Sequence, residues 1–330
     1  MRRLRRILVA IKDPEARRFP AVSKAAQLAR AAQAELVLFH ALAAPVYLDA
    51  DISLLNAGLA DLERGTQDAC RARLEAIARP LRRRGIEVST SAQWDYPTYE
   101  AILREAARCK ADLVVAERHA GRHIAAGLLH LTDWELLRLS PVPVLLVKRT
   151  APWKRPVVLA AVDPDHRYGK PARLDAEILA AAAGLSQALK GTLHAVHAFV
   201  PLPVASFARG NVISEATLAR LQADAANAAR GKVQRLLGRL AVPDARRHVI
   251  GRHPADVIPQ VAANCRANVL VMGMIARSGL KRLLIGNTAE RILDRLACDV
   301  LIVKPRNLVK PPPRTRRGAR YVSIQPAAGV

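Results

Sequence analysis

Apolar residues in this chain follow two alternating patterns: short continuous Val/Leu/Ile runs, and longer Ala-rich segments in which apolar positions recur every three or four residues. The short runs predict strands at 6–13, 35–43, 86–92, 112–117 and 142–148 in the first half. In the second half they predict strands at 156–163, 191–200, 246–251, 268–273 and 299–304. The segments between them have helical spacing. Continuous apolar runs separated by helices point to parallel strands buried on both faces. The pattern therefore predicts an α/β protein of two tandem doubly wound, Rossmann-like domains, each with a five-stranded parallel sheet.

The two halves are copies of one segment. Positions 102–148 and 258–304 align without a gap at a spacing of 156, pairing Ile102 with Ile258, Cys109 with Cys265, Ala111 with Ala267 and Thr132 with Thr288. Upstream, the run ending at Asp13 recurs as the run ending at Asp163, and the run ending at His40 recurs at His197. Solenoid units are about 20–50 residues long, so a repeat of this length is a domain duplication. The domains are expected at 1–148 and 156–305, with a linker at 149–155 and a disordered basic tail at 306–330. The linker is short enough that the halves are expected to pack as an intrachain pseudo-dimer.

Composition narrows the class. The chain is 51% hydrophobic and only 4% aromatic, which describes a globular protein. Its four cysteines are far apart with no C-x-x-C pair, and read as buried thiols, with Cys109 and Cys265 at a shared core position. Lys12 and Asp13 interrupt the N-terminal apolar run before it reaches the length of a signal-peptide core, and no stretch has the length of a membrane span. A cytoplasmic location is expected. The net charge of +24 creates a field that attracts phosphates, nucleic acid or acidic lipid. Part of that charge sits in the leading RRLRR and in the Pro- and Arg-rich tail, which make nucleic acid a candidate partner. Arg82, Arg83 and Arg84 precede Gly85 and read as a solvated helix end.

Residues 272–305, Asp163 and the stretch 131–148 together resemble the universal stress proteins, in particular their tandem UspE-like branch. The resemblance covers nearly all of 6–305. It implies strand order 3-2-1-4-5, dimer-like pairing through the fifth strands, and a regulatory role in stress response and growth arrest. Nucleotide-binding members carry G-x2-G-x9-G-[ST] after the fourth strand. Backbone N–H groups and a helix N-terminus there form an anion site. Here that pattern is Gly273, Ala276, Gly286, Asn287 and Thr288, with Ala276 in place of a glycine and Asn287 in place of a hydroxyl residue. The resemblance gives Asp163, Met272, Gly273, Ala276, Gly286, Asn287 and Thr288 as the candidate cofactor-binding residues. The cofactor it implies is ATP or another adenine nucleotide, in the second domain only.

The first half is expected to have lost this site, because Glu117 stands opposite Gly273 and would repel a phosphate. Two bland accounts compete with the ligand reading. Asn287 with Glu290, and Thr132 with Glu135, are helix-start patterns that need no ligand. Asp13 and Asp163 each precede a proline, so a turn explains both equally well. Arg277, Lys281 and Arg282 either steer phosphates or form a solvated helical face. His119, His123 and His130 read as polar loop residues rather than metal ligands, and no metal is expected. His194 and His197 lie on opposite faces of one strand and cannot share a site. Met272, Met274 and Trp134 read as packing residues. The sequence has no nucleophile elbow and no Walker loop, and no catalytic activity is expected beyond the slow ATP hydrolysis the resemblance allows.

Three functional readings follow: a stress-response regulator holding nucleotide in its second half, a basic protein associated with nucleic acid, or a scaffold whose crevices take an apolar ligand or a partner. Association of two chains is compatible with all three.

Overall fold

Ile7, Leu8 and Val9 are consecutive in the first strand and none is exposed (0% each). Side chains alternate across a strand, so three consecutive buried positions require cover on both sheet faces. The computed structural model describes residues 4–42, 56–118, 126–165, 173–200, 214–238, 240–274 and 287–304, and provides the helices that supply this cover.

The first unit, through Pro152, runs β1 (Arg6–Ala10), α1 (Pro20–Ala32), β2 (Glu35–Leu42), α2 (Asn56–Arg82), β3 (Val88–Trp94), α3 (Thr98–Arg108), β4 (Leu113–Glu117), α4 (Ala126–Leu139) and β5 (Val144–Val147). Its strands pair in parallel as β3-β2-β1-β4-β5. The second unit begins at Trp153. It runs β6 (Val157–Ala161), α5 (Arg173–Ala188), β7 (Thr192–Ala198), α6 (Glu215–Leu237), β8 (Arg247–Ile250), α7 (Pro254–Asn264), β9 (Val269–Gly273), α8 (Asn287–Arg295) and β10 (Asp299–Val303). It pairs as β8-β7-β6-β9-β10, also parallel throughout. Each unit therefore has the expected order 3-2-1-4-5. The chain switches direction along the sheet between β1 and β4 in one unit and between β6 and β9 in the other, and sheets of this kind open a ligand crevice at that point.

Strand register corrects the expected pairing of Asp13 with Asp163. Ile7 lies beside Leu36 and Leu113, and Val158 lies beside the corresponding Leu193 and Val269. Ile7 therefore matches Val158, which sets Lys12 against Asp163 and Asp13 against Pro164. Both runs end in Asp, and that coincidence hides a one-residue slip.

Three smaller corrections have local causes. Cys109 and Cys265 share a position as expected, but it is the C-cap of α3 and of α7, half-buried, and not the core. Each thiol sits within reach of the carbonyl three residues back, at 3.7 Å from Ala106 and 3.9 Å from Ala262. Burial pushes both thiols above their usual range. The Thr132–Glu135 helix start does not occur, because α4 already runs at Ala126. β3 begins at Val88, two residues later than predicted. Gly85 turns the chain at φ +78°, and the Ile86 N–H is tied back to the Leu81 carbonyl.

Trp153, inside the expected linker, is 6% exposed and donates its Nε1–H to Asp299 Oδ2 at 2.8 Å. Among the described residues no helix is long and apolar enough to cross a membrane. The expected tail lies outside the described residues.

Candidate functional site

The crevice of the second unit forms where β6 and β9 end side by side. Asp163 leaves β6 two residues after Ala161, and its backbone N–H donates to Asp175 Oδ1 at 3.0 Å. Asp175 lies in the first turn of α5 and is completely buried. That contact fixes the start of α5 against the β6 exit. The side chain of Asp163 is left with Oδ2 buried and without a hydrogen-bond partner among the described residues. A buried carboxylate oxygen with no donor costs on the order of a few kcal/mol, so an acceptor there is suited to an incoming N–H or O–H group.

The turn account of the Asp-Pro pairs separates the two halves. Asp13 Oδ1 accepts the Glu15 N–H at 2.9 Å, and its carbonyl accepts the Ala16 N–H at 3.3 Å. That is a self-contained turn on an exposed residue. Among the described residues Asp163 makes no such local bond.

Gly273 ends β9 at the other wall of the crevice. A Cβ added there would lie 2.7 Å from Leu174 Cδ2 and 3.1 Å from Ile178 Cδ1, both on α5. Close packing of α5 on β9 therefore accounts for this glycine by itself, without any need for a phosphate. Met272, one residue earlier, is buried at 7% exposure and is paired with Ile302. Met274 is also buried, and its N–H bonds the Val303 carbonyl. α8 runs from Asn287 and follows β9, so its N-terminal turn belongs to the same end of the sheet, with Thr288 half-exposed in it. Ala276, Gly286, Arg277, Lys281, Arg282 and the Asn287 side chain lie outside the described residues.

The first unit fills the corresponding space with its own atoms. Glu117, at the end of β4, accepts the Ala21 N–H at 3.0 Å and so caps the N-terminus of α1. Phe19 at the N-cap has no oxygen to offer and makes no side-chain capping bond, and Pro20 has no N–H. A carboxylate from a neighbouring strand thus occupies the position at a helix N-terminus where an anion would bind. Lys12, exposed, stands in the place of Asp163.

Two histidines absent from the candidate set repeat between the halves. His40 Nδ1 donates to the Ile11 carbonyl at 2.8 Å, and His197 Nδ1 to the Val162 carbonyl at 3.2 Å. His197 is 1% exposed and its Nε2 lies 3.8 Å from Asp165, which is also paired with Lys232. The repeat of His40 at His197 was the sequence signal for this strand-to-strand tie. Asp175 gave no comparable signal, since an acid in the first turn of a helix is ordinary. His194 and His197 point to opposite faces, as expected: His194 meets His248, and His197 meets Phe199. Among the described residues no group of three or more His, Cys, Asp or Glu is placed to hold a metal ion. His119, His123 and the His130 side chain lie outside the described residues.

Two parallel, doubly wound units of order 3-2-1-4-5, joined in tandem and with unequal crevices, define a class of proteins. The profile of the universal stress protein family matches residues 3–148 and again 157–304, and the chain belongs to that family. Among relatives, universal stress protein E of Escherichia coli K12 is 29% identical over 233 residues, covering 67% of this chain and 69% of the relative. The Photorhabdus laumondii universal stress protein E is 30% identical over 230 residues, covering 67% and 70%. A solved structure of the Pseudomonas aeruginosa PAO1 protein PA1789 aligns over 92% of this chain and 94% of its own, at 30% identity and a TM-score of 0.67. A universal stress protein of Archaeoglobus fulgidus shares the fold at 15% identity and a TM-score of 0.58, over 91% and 96% of the two chains.

Proposed function

We propose that this universal stress protein is a regulatory stress-response protein that holds an adenine nucleotide in the crevice of its second unit, with the first unit as a partner that binds none. The observation that carries the reading is the Asp163 carboxylate, whose buried Oδ2 has no donor among the described residues at the point where β6 and β9 diverge. An adenine amino group or a ribose hydroxyl supplies the missing donor. The N-terminal turn of α8 offers N–H groups and the positive end of a helix dipole to phosphate oxygens.

The contrast within the chain supports the assignment to one unit. Lys12 replaces Asp163, which removes that acceptor for the base, and Glu117 caps α1 and places a carboxylate where the phosphates would go. The +24 net charge favours an anionic ligand in general. Among the described residues no side chain of the second crevice is arranged as a nucleophile with its base, and the reading is of binding.

Equilibrium dialysis of ATP against the full chain, its Asp163→Ala variant and its Lys12→Ala variant tests this. Retention is expected to fall about tenfold or more in Asp163→Ala, equivalent to ~1.4 kcal/mol, and to be unchanged in Lys12→Ala. Absence of ATP retention by the unmodified chain, or equal retention by Asp163→Ala, would sink the reading.

A further inference from the structure

One open cavity of the first unit has no part in either crevice. It is a surface groove of about 580 Å³ between α1 and α2, within the usual range for small-molecule sites. Both helices return the chain between parallel strands of one sheet, so they run in the same direction and lie on the same face. Phe19, Val22 and Ala26 form one wall, and Ile77, Pro80 and Leu81 the other.

The two ends of the groove differ in chemistry. Phe19, the N-cap of α1, lies eleven positions before Arg30, and Arg73 on α2 lies eleven before Arg84 in the turn past its end, about 16 Å at the rise of a helix. At the Phe19 end, Arg73 is paired with Glu15, and this ion pair joins the α1 lead-in to α2. At the far end, Arg30 and Arg84 are exposed, line the groove and have no ion pair among the described residues. An apolar trough neutralised at one end and carrying two uncompensated guanidinium groups at the other is asymmetric along its length. Arginine forks match carboxylate and phosphate oxygens.

From this asymmetry we propose that the α1–α2 groove binds an amphipathic anion, a long-chain carboxylate or alkyl phosphate, with its aliphatic chain along Val22, Ala26, Ile77 and Leu81 and its head group between Arg30 and Arg84. The charge pattern favours this occupant over a peptide helix. A helix would need both ends of the trough open, whereas the Glu15–Arg73 pair stands at one of them. Each methylene laid in the trough contributes roughly what burial of apolar area gives elsewhere, while the head group fixes orientation. The site is independent of nucleotide binding in the second unit and stands or falls separately from it.

Titration calorimetry on the full chain with dodecanoate, below its micelle concentration, is the test, with dodecanol and dodecyltrimethylammonium as head-group controls. Saturable binding of dodecanoate is expected. Arg30→Glu with Arg84→Glu should weaken it about tenfold or more, and Ala26→Trp, which fills the trough, should abolish it while leaving the unfolding midpoint near that of the unmodified chain. Dodecyl phosphate replacing dodecanoate tests the alternative head group, and competition between the two supports one shared site. No binding of either anion, equal binding of the cationic control, binding untouched by Ala26→Trp, or an acidic helical peptide that outcompetes dodecanoate would each overturn the proposal. If Ala26→Trp fails to fold, Ile77→Gln serves as the second trough variant and must weaken binding for the proposal to stand.

Discussion

Glu117 Oε1 lies 3.0 Å from the backbone nitrogen of Ala21, so the last residue of β4 caps the first turn of α1. This contact occupies, with a side chain of the protein, the helix terminus that a bound anion would otherwise neutralise. It predicts that Glu117→Ala destabilises the first unit by about 1 kcal/mol, the usual cost of losing a helix N-cap. Glu117→Gln retains an oxygen acceptor and should cost less, losing only the charge–dipole part. Urea unfolding of the three proteins checks this; equal stability of Glu117→Ala and the unmodified chain would show that the contact contributes nothing.

The corresponding position in the second unit has no side chain, for a different reason. Gly273 leaves a space that Leu174 and Ile178 enter, and a methyl group there would meet Leu174 Cδ2 at 2.7 Å and Leu174 Cγ at 3.0 Å. Gly273→Ala is therefore expected to push α5 away from β9 and destabilise by about 1–3 kcal/mol through overpacking. Since α5 also carries Asp175, which holds the Asp163 backbone, the same substitution should weaken ATP retention along with stability. Gly273→Ala with unaltered stability would mean that α5 shifts without strain, and that the packing account of this glycine is wrong.

Much of this architecture was legible along the chain because fully buried parallel strands leave a strong signal. RILVA and VVLAA are readable as strands from composition alone, since both faces are covered and no polar position interrupts them. Register was less legible: the repeat pairs Asp13 with Asp163 by letter, whereas the ladders pair Lys12 with it. A one-residue shift moves a side chain from the crevice to an exposed turn, and sequence similarity between two aspartates cannot detect that. The sequence did mark Glu117 as incompatible with phosphate, but not as the cap of α1, because Ala21 is 96 residues away. Asp175 was missed for the same reason. Its role depends on a backbone nitrogen at Asp163, and nothing local distinguishes it from an ordinary helix-start acid. The Arg30–Arg84 end of the α1–α2 groove is likewise a product of packing, since Arg30 lies on α1 and Arg84 in the turn just past the end of α2.

Glu75 gives a pH prediction with a definite sign. Bonds from Arg82 and then from the Thr90 hydroxyl, at 2.6 Å, hold its carboxyl down at about 2 against an ordinary value of 4.5. The folded state thus releases this proton more readily than the unfolded chain, and the resulting stability is complete above about pH 4.5 and lost as pH falls towards 2. The carboxylate is 43% exposed, so solvent screening limits the gain to about 0.5 kcal/mol. Glu75→Gln should therefore be less stable than the unmodified chain at neutral pH, with the gap closing below pH 4.5. Denaturant midpoints measured from pH 7 downwards check this, and a gap that is constant or widens on acidification would contradict it.

His194 Nδ1 lies 3.1 Å from His248 Nε2, their ring planes differ by 8°, and their centroids are 5.4 Å apart. That centroid separation is the nitrogen contact plus one ring radius on each side, so the imidazoles meet edge to edge through a hydrogen bond rather than face to face. One nitrogen donates and the other accepts, which the neutral pair satisfies with a single shared proton. Burial lowers both pKa values below 6.5, and for His194 the neighbouring His248 and Arg246 lower it further. A histidine depressed in the folded state takes up its proton first in the unfolded chain, so the pair's contribution is complete above pH 6.5 and declines as pH falls below it. Two-dimensional NMR of the imidazole carbons should show both rings titrating below the ordinary histidine value. His248→Asn should move the His194 midpoint upward but still leave it depressed, because desolvation is the larger cause. A His194 midpoint at or above 6.5 in the unmodified chain, or one that falls on removal of His248, would contradict this account of the pair.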